Sequence, residues 1–241
     1  MRIDGRRTDE LRPVRLELDY TRYAEGSVLI RQGETVVLCT ATVEDRLPPW
    51  MLKEIGERGW VTGEYSMLPR STVTRSPRET TPQARTQEIR RLIGRSLRAA
   101  VDLPLLGKRQ IIVDCDVLQA DGGTRTASVT GGYVALSMAL RKLIAAGVVP
   151  PEVMRSPVAA VSVGVVAGEP LLDLCYAEDV RAETDLNVVM NAEGCYVELQ
   201  GTAESRPFDR ATLERLLDLA AGGIGELLRA QREALAGSQT G

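Results

Sequence analysis

The chain has 241 residues, 44% of them hydrophobic and 26% charged, with a formal net charge of −3. That length can bury a substantial core, and the charge excludes a globally basic nucleic-acid binder. There is no histidine, which removes Ser-His-Asp, Cys-His and most zinc-hydrolase mechanisms at once.

Val14, Leu16, Leu18 and Tyr20 alternate as in a half-buried strand. Ser27–Arg31 and Thr35–Thr42 read as two strands joined by a tight turn at Gln32-Gly33, and a further short strand is expected at Trp60–Tyr65. From Ser66 to about Thr86 there are three prolines, several hydroxyl residues and no hydrophobic period, which predicts a long loop, functional or disordered. A helix follows at about Gln87–Val101, with Ile89, Leu92, Ile93 and Leu97 on one face. Gln110–Leu118 is a strong strand, and a Gly loop leads from it into a nearly all-apolar, hence buried, helix at about Ala127–Ala146. Strands are expected near Ala159–Val166, Leu171–Cys175, Asn187–Met190 and Tyr196–Leu199. A long amphipathic helix starts at about Arg210, capped by Asp209 and weakened at Gly222-Gly223, and residues 237–241 read as a flexible tail. The mixture predicts an α+β fold with three main helices in one compact unit, 1–241. Element order suggests two pseudo-repeats, roughly 1–105 and 106–236.

Cys39, Cys115, Cys175 and Cys195 are widely spaced without a Cys-x-x-Cys pair, so free thiols are expected rather than disulfides or zinc. Met1–Leu11 is polar and charged, and no apolar run approaches a membrane span. A cytoplasmic protein without a membrane partner is expected.

Only Lys53, Lys108 and Lys142 are lysines among 30 basic residues, a bulk bias attributed to codon usage. The distribution of charge is more telling. Between Leu68 and Ala100 eight arginines face only Glu79 and Glu88, a net +6 that leaves −9 on the rest of the chain. One basic patch on an acidic body is the pattern of a local polyanion site. Arg70, Arg75 and Arg78 lie in the long loop, spaced to meet successive phosphates of a flexible single strand. Arg90, Arg91, Arg95 and Arg98 fall on the polar side of a helix, where a solvated face or subunit contact is expected.

Asp121-Gly122-Gly123-Thr124-Arg125 stands between a strand and a buried helix. Glycines admit close approach of an anion, helical N–H groups point at it, and Thr124 and Arg125 add donors. Without the Gly-Lys-Ser/Thr ending of a P-loop, a single phosphate fits better than a nucleoside triphosphate. A plain strand-to-helix turn would use the glycines as well, and Arg85, beside the start of the preceding helix, could serve either the arginine series or this anion site. Glu178, Asp179, Glu183 and Asp185 crowd within eight residues. Such a run is usually a solvated turn, but beside an anion site a carboxylate pair suits Mg²⁺ or Mn²⁺.

Larger blocks carry a family resemblance: Arg2-Ile3-Asp4-Gly5-Arg6, Asp9-Glu10-Leu11-Arg12-Pro13, Glu25-Gly26-Ser27-Val28-Leu29 and Val43-Glu44-Asp45-Arg46. They continue with Glu64-Tyr65-Ser66-Met67-Leu68-Pro69-Arg70, Arg91-Leu92-Ile93-Gly94-Arg95, Asp114-Cys115-Asp116-Val117, Gln119 through Arg125, and Val197-Glu198-Leu199-Gln200-Gly201-Thr202. With these the chain resembles bacterial ribonuclease PH over nearly its whole length. The resemblance implies a duplicated βαβα ribonuclease PH domain fold. It implies phosphorolysis of the 3′ extension of precursor tRNA and other RNA 3′ ends, with inorganic phosphate as co-substrate and nucleoside diphosphates as products. Arg85, Gly123, Thr124 and Arg125 would bind phosphate, Asp179 and Asp185 would serve metal binding and catalysis, and Arg70, Arg75 and Arg78 would contact RNA. A homo-oligomeric, hexameric ring built as a trimer of dimers is implied, without a DNA partner. The chain departs from the pattern around Met51–Gly59, where Lys53-Glu54-Ile55 replaces a glycine-rich stretch. A non-catalytic ring subunit would keep the arginine loop but lack the acidic pair or the Gly-Thr-Arg site. A water-using metal hydrolase would have little use for the latter.

Overall fold

The first sheet contains β1 (Val14–Leu18), β2 (Gly26–Gln32), β3 (Thr35–Glu44), β4 (Trp60–Met67) and β5 (Gln110–Gln119), in the order β1-β2-β3-β5-β4. The computed structural model describes residues 2–51, 58–78 and 83–237. The Lys53-Glu54-Ile55 departure and tail residues 238–241 lie outside them. β1, β2, β3 and β5 pair antiparallel in turn, whereas β4 lies parallel to β5. Parallel neighbours need a crossover, and helix α1 (Ala84–Ala99) supplies it. Because β4 and β5 run the same way, Met67 pairs with Val117. The loops after both strands therefore leave the sheet at the same end, which is what positions the site.

After α1 comes the short α2 (Leu103–Leu106), and after β5 the helix α3 (Thr124–Ala145). The second sheet, entirely antiparallel, has β6 (Val158–Val166), β7 (Glu169–Leu172), β8 (Thr184–Asn191) and β9 (Tyr196–Ala203) in the order β7-β6-β8-β9. A one-turn helix α4 (Tyr176–Asp179) joins β7 to β8, and α5 (Arg210–Gly237) closes the chain. The layers run sheet, helices α1 and α3, sheet, helix α5.

Period-two alternation explains why β6 reads as an uninterrupted apolar run. Val158 and Ala160 share a core with α3, whereas Ala159, Val161 and Val163 pack with α5. On α5, Leu216, Ala220, Ile224 and Leu227 return to one face every three or four residues and fill that second core. Two buried side chains tie these layers together: Thr130 Oγ1 accepts the Ala160 N–H at 3.1 Å, and Gln231 Nε2 donates to the Thr130 and Val158 carbonyls.

The α+β class, the three main helices and the single body agree with expectation. Several boundaries do not. Leu171–Cys175 is not one strand, because Asp173 turns the chain with φ 55 and Cys175 becomes the N-cap of α4. Helix α5 continues unbroken through Gly222-Gly223 to Gly237. A Cβ at Gly223 would lie 2.7 Å from Leu172 Cδ1, so the glycine admits close packing on β7 rather than weakening the helix. Asp209 caps it as expected, its Oδ1 accepting the Thr212 N–H at 2.8 Å. All four cysteines are free, with only Cys195 exposed.

Candidate active site

The loop after β5 enters α3 directly. Gly123, in the left-handed region at φ 64, is the N-cap and brings no side-chain cap. Thr124 is already helical, one turn before the apolar period begins, because the first turn is the polar Thr124-Arg125-Thr126. The leading N–H groups of a 22-residue helix thus lack intrahelical acceptors at the dipole's positive end. Thr124 Oγ1 lies 2.8 Å from the hydroxyl of Tyr65, at the end of β4. Burial pushes the Tyr65 phenol up, so it stays neutral, and the charges of Arg85 and Arg125 both reach it. Arg125 Nη1 donates to Gln200 Oε1 at 3.4 Å and lies 3.7 Å from Glu88. Arg85, expected at the loop–helix junction, stands in the first turn of α1, exposed and without an ion pair among the described residues.

The glycine pair has a second purpose besides admitting an anion. A Cβ at Gly122, whose φ is 73, would lie 2.6 Å from the Leu174 carbonyl oxygen and 2.8 Å from the Tyr176 nitrogen. The Gly loop is therefore docked against the backbone that leads into α4.

The acidic cluster separates into unlike parts. Glu178 is buried in a bidentate pair with Arg2, at 2.8 and 2.7 Å. Burial raises its pKa, but the Arg2 hydrogen bonds and charge leave it lowered on balance. Glu183 accepts the Gly168 N–H at the surface. Asp179, at the end of α4, and Asp185, on β8, remain facing each other's fields. Burial raises the pKa of Asp179, with Arg85 and Arg125 opposing it. Burial first, and the charge of Asp179 second, push Asp185 up to about 6. Arg125 and Glu204 also act on Asp185, and Glu204 on Asp179.

Asp179 is thus within electrostatic reach of both Arg85 and Arg125, and Asp185 within reach of Asp179 and Arg125. The donor set suits a hard divalent cation. Asp185 Oδ1 is buried with no hydrogen-bond partner, and a second carboxylate repels its charge. Among the described residues no group of three or more Cys, Asp or Glu side chains could hold a metal alone. A bound ion would therefore keep waters or take substrate oxygens, as Mg²⁺ does.

The arginine loop lies at the same end. Ala120 N–H donates to the Ser71 carbonyl at 2.8 Å, tying the loop beside Asp121. Arg70, Arg75 and Arg78 are exposed and make no ion pair among the described residues. The helix arginines depart from the solvated-face expectation, which fits only Arg91. Arg90 pairs with Glu64 at 2.9 Å, and Arg95 with Glu198. Arg98 donates to the Val61 carbonyl at 2.8 Å and stacks 4.3 Å above the Trp60 ring. They fasten α1 to both sheets. Tyr65, Gln200 and Glu204 were not anticipated at the site. The first two lie inside sequence blocks named above, but strand alternation alone marks Tyr65 as core.

Comparison with known proteins bears on the family and the fold. A family model described as "3′ exoribonuclease family, domain 1" matches residues 10–142, and "3′ exoribonuclease family, domain 2" matches residues 156–223. Rice (Oryza sativa) Rrp46 is similar in structure, with a TM-score of 0.79 at 17% identity, covering 97% of this chain and 100% of that one. A chain of the Archaeoglobus fulgidus exosome with RNA bound to the active site gives 0.78 at 24%, covering 97% and 92%. A chain of an archaeal exosome core gives 0.74 at 23%, covering 96% and 91%. These likenesses are to the fold, and the family models reach more than half of the sequence. The chain belongs to the 3′ exoribonuclease family, with its two ribonuclease PH domains.

Proposed function

We propose that this protein is a phosphorolytic 3′→5′ exoribonuclease, resembling bacterial ribonuclease PH, which trims the 3′ extension of precursor tRNA in the cytoplasm. The observation that carries the proposal is the facing of two walls. An uncapped helix N-terminus with Thr124 and Arg125, joined by Arg85, stands within electrostatic reach of the exposed carboxylate Asp179 and, through Arg125, of the half-buried Asp185. A hydrolase that attacks with water has no need of the first wall.

Inorganic phosphate is itself a nucleophilic anion at neutral pH, so no histidine base is required. Its obstacle is repulsion from the RNA phosphodiester, about 4 kcal/mol between unit charges 4 Å apart at an effective dielectric near 20. Thr124, Arg125, Arg85 and the helix N–H groups would hold phosphate against that repulsion. Arg70, Arg75 and Arg78 would meet successive RNA phosphates and bring the 3′ end to the same place. A phosphate oxygen then forms a bond to the terminal phosphorus as its bond to the penultimate 3′ oxygen breaks. The proton of hydrogen phosphate passes to that 3′ oxygen, and a nucleoside diphosphate leaves. Mg²⁺ or Mn²⁺ held by Asp179 and Asp185 would neutralise charge on the phosphoryl oxygens. The resemblance supports a homohexameric ring, a trimer of dimers.

The test is incubation of the purified protein with 3′-extended RNA and Mg²⁺, with and without phosphate. Nucleoside diphosphates released only with phosphate are expected. Phosphate-independent monophosphates would identify a hydrolase, and RNA binding without release a non-catalytic ring subunit.

A further inference from the structure

The N-terminal segment before β1 sends buried arginines to the backbone behind both walls of the site. Arg12, only 4% exposed in its side chain, pairs through Nη2 with Asp173 Oδ1 at 2.7 Å. Its backbone N–H and Nε both donate to Asp173 Oδ2, at 2.8 and 3.0 Å. The same guanidinium donates to the Asp121 carbonyl at 2.5 Å, and its Nη2 lies 3.0 Å from where a Gly123 Cβ would stand. Asp173 is fully buried and holds the positive-φ bend that redirects the chain into α4. Arg2 grips the next stretch, donating to Glu178 and to the Leu172 and Asp173 carbonyls. Asp121 Oδ1 closes the circuit by accepting the Tyr176 N–H at 3.2 Å. Two loops from different sheets, one carrying Thr124 and Arg125 and the other Asp179, are thereby fixed to one strap of chain.

We infer that Arg12 and Arg2 are positioning residues for the reaction: Arg12 sets the Gly123-Thr124-Arg125 loop against α4, and Arg2, through Glu178, sets Asp179. The inference rests on the phosphorolytic proposal and deepens it. Arginine is needed at both positions, because each uses at least two nitrogens of the fork on different acceptors, which a lysine ammonium on a flexible stem does not reproduce. A merely structural strap would, when loosened, weaken every property of the site together. A positioning strap predicts a crossed pattern instead.

The experiment measures inorganic phosphate binding by calorimetry and Mn²⁺ binding by electron paramagnetic resonance, on the wild-type full chain and on Arg12→Lys and Arg2→Lys. Losses of supporting contacts to bound groups typically cost about ten- to a hundredfold. Arg12→Lys is expected to weaken phosphate binding about tenfold or more and Mn²⁺ binding by less than about threefold. Arg2→Lys is expected to do the reverse. Equal losses of both ligands in both variants, or no loss in either, overturn the inference. Should Arg12→Lys fail to fold, Asp121→Ala replaces it, since it removes the acceptor of the Tyr176 N–H and that carboxylate is a third exposed. Phosphate binding unchanged in Asp121→Ala also overturns the inference. A wild type that binds neither phosphate nor Mn²⁺ sinks the phosphorolytic proposal and the inference together. A wild type that binds both, with variants indistinguishable from it, sinks the inference alone.

Discussion

The two walls of the site are made by opposite strategies. On the cationic wall, Arg85 is exposed and lacks an ion pair among the described residues, and Arg125 has only long contacts to Gln200 and Glu88. Its charges stay available to a ligand. On the acidic wall the carboxylates are sorted by partner. Glu178 is neutralised by Arg2, while its neighbour Asp179 stays exposed and Asp185 half-buried, neither with an ion pair among the described residues. The same contrast runs along α1, where Arg90, Arg95 and Arg98 are consumed by Glu64, Glu198 and the Val61 carbonyl, and Arg85 is not. Residue type therefore does not decide which charge can act. The presence or absence of a built-in counterion does.

The largest effect that would break this comparison comes from removing an acidic-wall ligand. Asp185→Ala is expected to lower kcat by about 10²–10³-fold while leaving the phosphate KM within a few-fold, as for loss of one electrostatic stabiliser of a transition state. Steady-state rates at varied phosphate check it, and a pure KM effect would move Asp185 to the phosphate wall. Arg125→Ala or Arg85→Ala should do the complement, raising the phosphate KM by about 10–100-fold through loss of a charge-assisted contact. Phosphate dependence left untouched would contradict that assignment.

A stability measurement probes the same wall without turnover. Burial, and the charge of Asp179 after it, raise the Asp185 pKa from the ordinary 3.8 of an unfolded chain to about 6 in the folded one. Folding therefore favours its protonated form. That contribution is complete below pH 3.8 and is lost as pH rises through 6. In metal-free buffer Asp185→Asn should match the wild type at pH 3.5 and exceed it by about 1–3 kcal/mol at pH 8. Denaturant melts at the two pH values check this, and a pH-independent difference would contradict a buried, repelled carboxylate. The smallest effect is at Tyr65. If its hydroxyl donates to Thr124, the threonine proton is left for phosphate. Tyr65→Phe should then raise the phosphate KM by about three- to tenfold with kcat unchanged, the worth of one hydrogen bond.

The long elements were legible because their physics is local. The period of α1 and α5, the alternation of β5 and the all-apolar α3 each follow from residues near one another in sequence. The cationic wall was nearly as legible, since Gly123-Thr124-Arg125 is contiguous and only the starts of α1 and α3 were displaced. What stayed hidden depends on partners far away in sequence. Nothing local separates Glu178 from Asp179, because Arg2 makes the difference from 176 residues upstream. The run Leu171 to Cys175 is apolar like a strand except at Asp173, and the buried pairing of Asp173 with Arg12, far away in sequence, is what holds its bend. Tyr65 alternates as core and is core, yet its hydroxyl ends at the site.

The most direct test of phosphate as the attacking group uses ³²P-labelled inorganic phosphate with unlabelled 3′-extended RNA and Mg²⁺. The account predicts label in the β-phosphate of every released nucleoside diphosphate, and its loss in Arg125→Ala at low phosphate. Unlabelled nucleoside monophosphates as the product would contradict it.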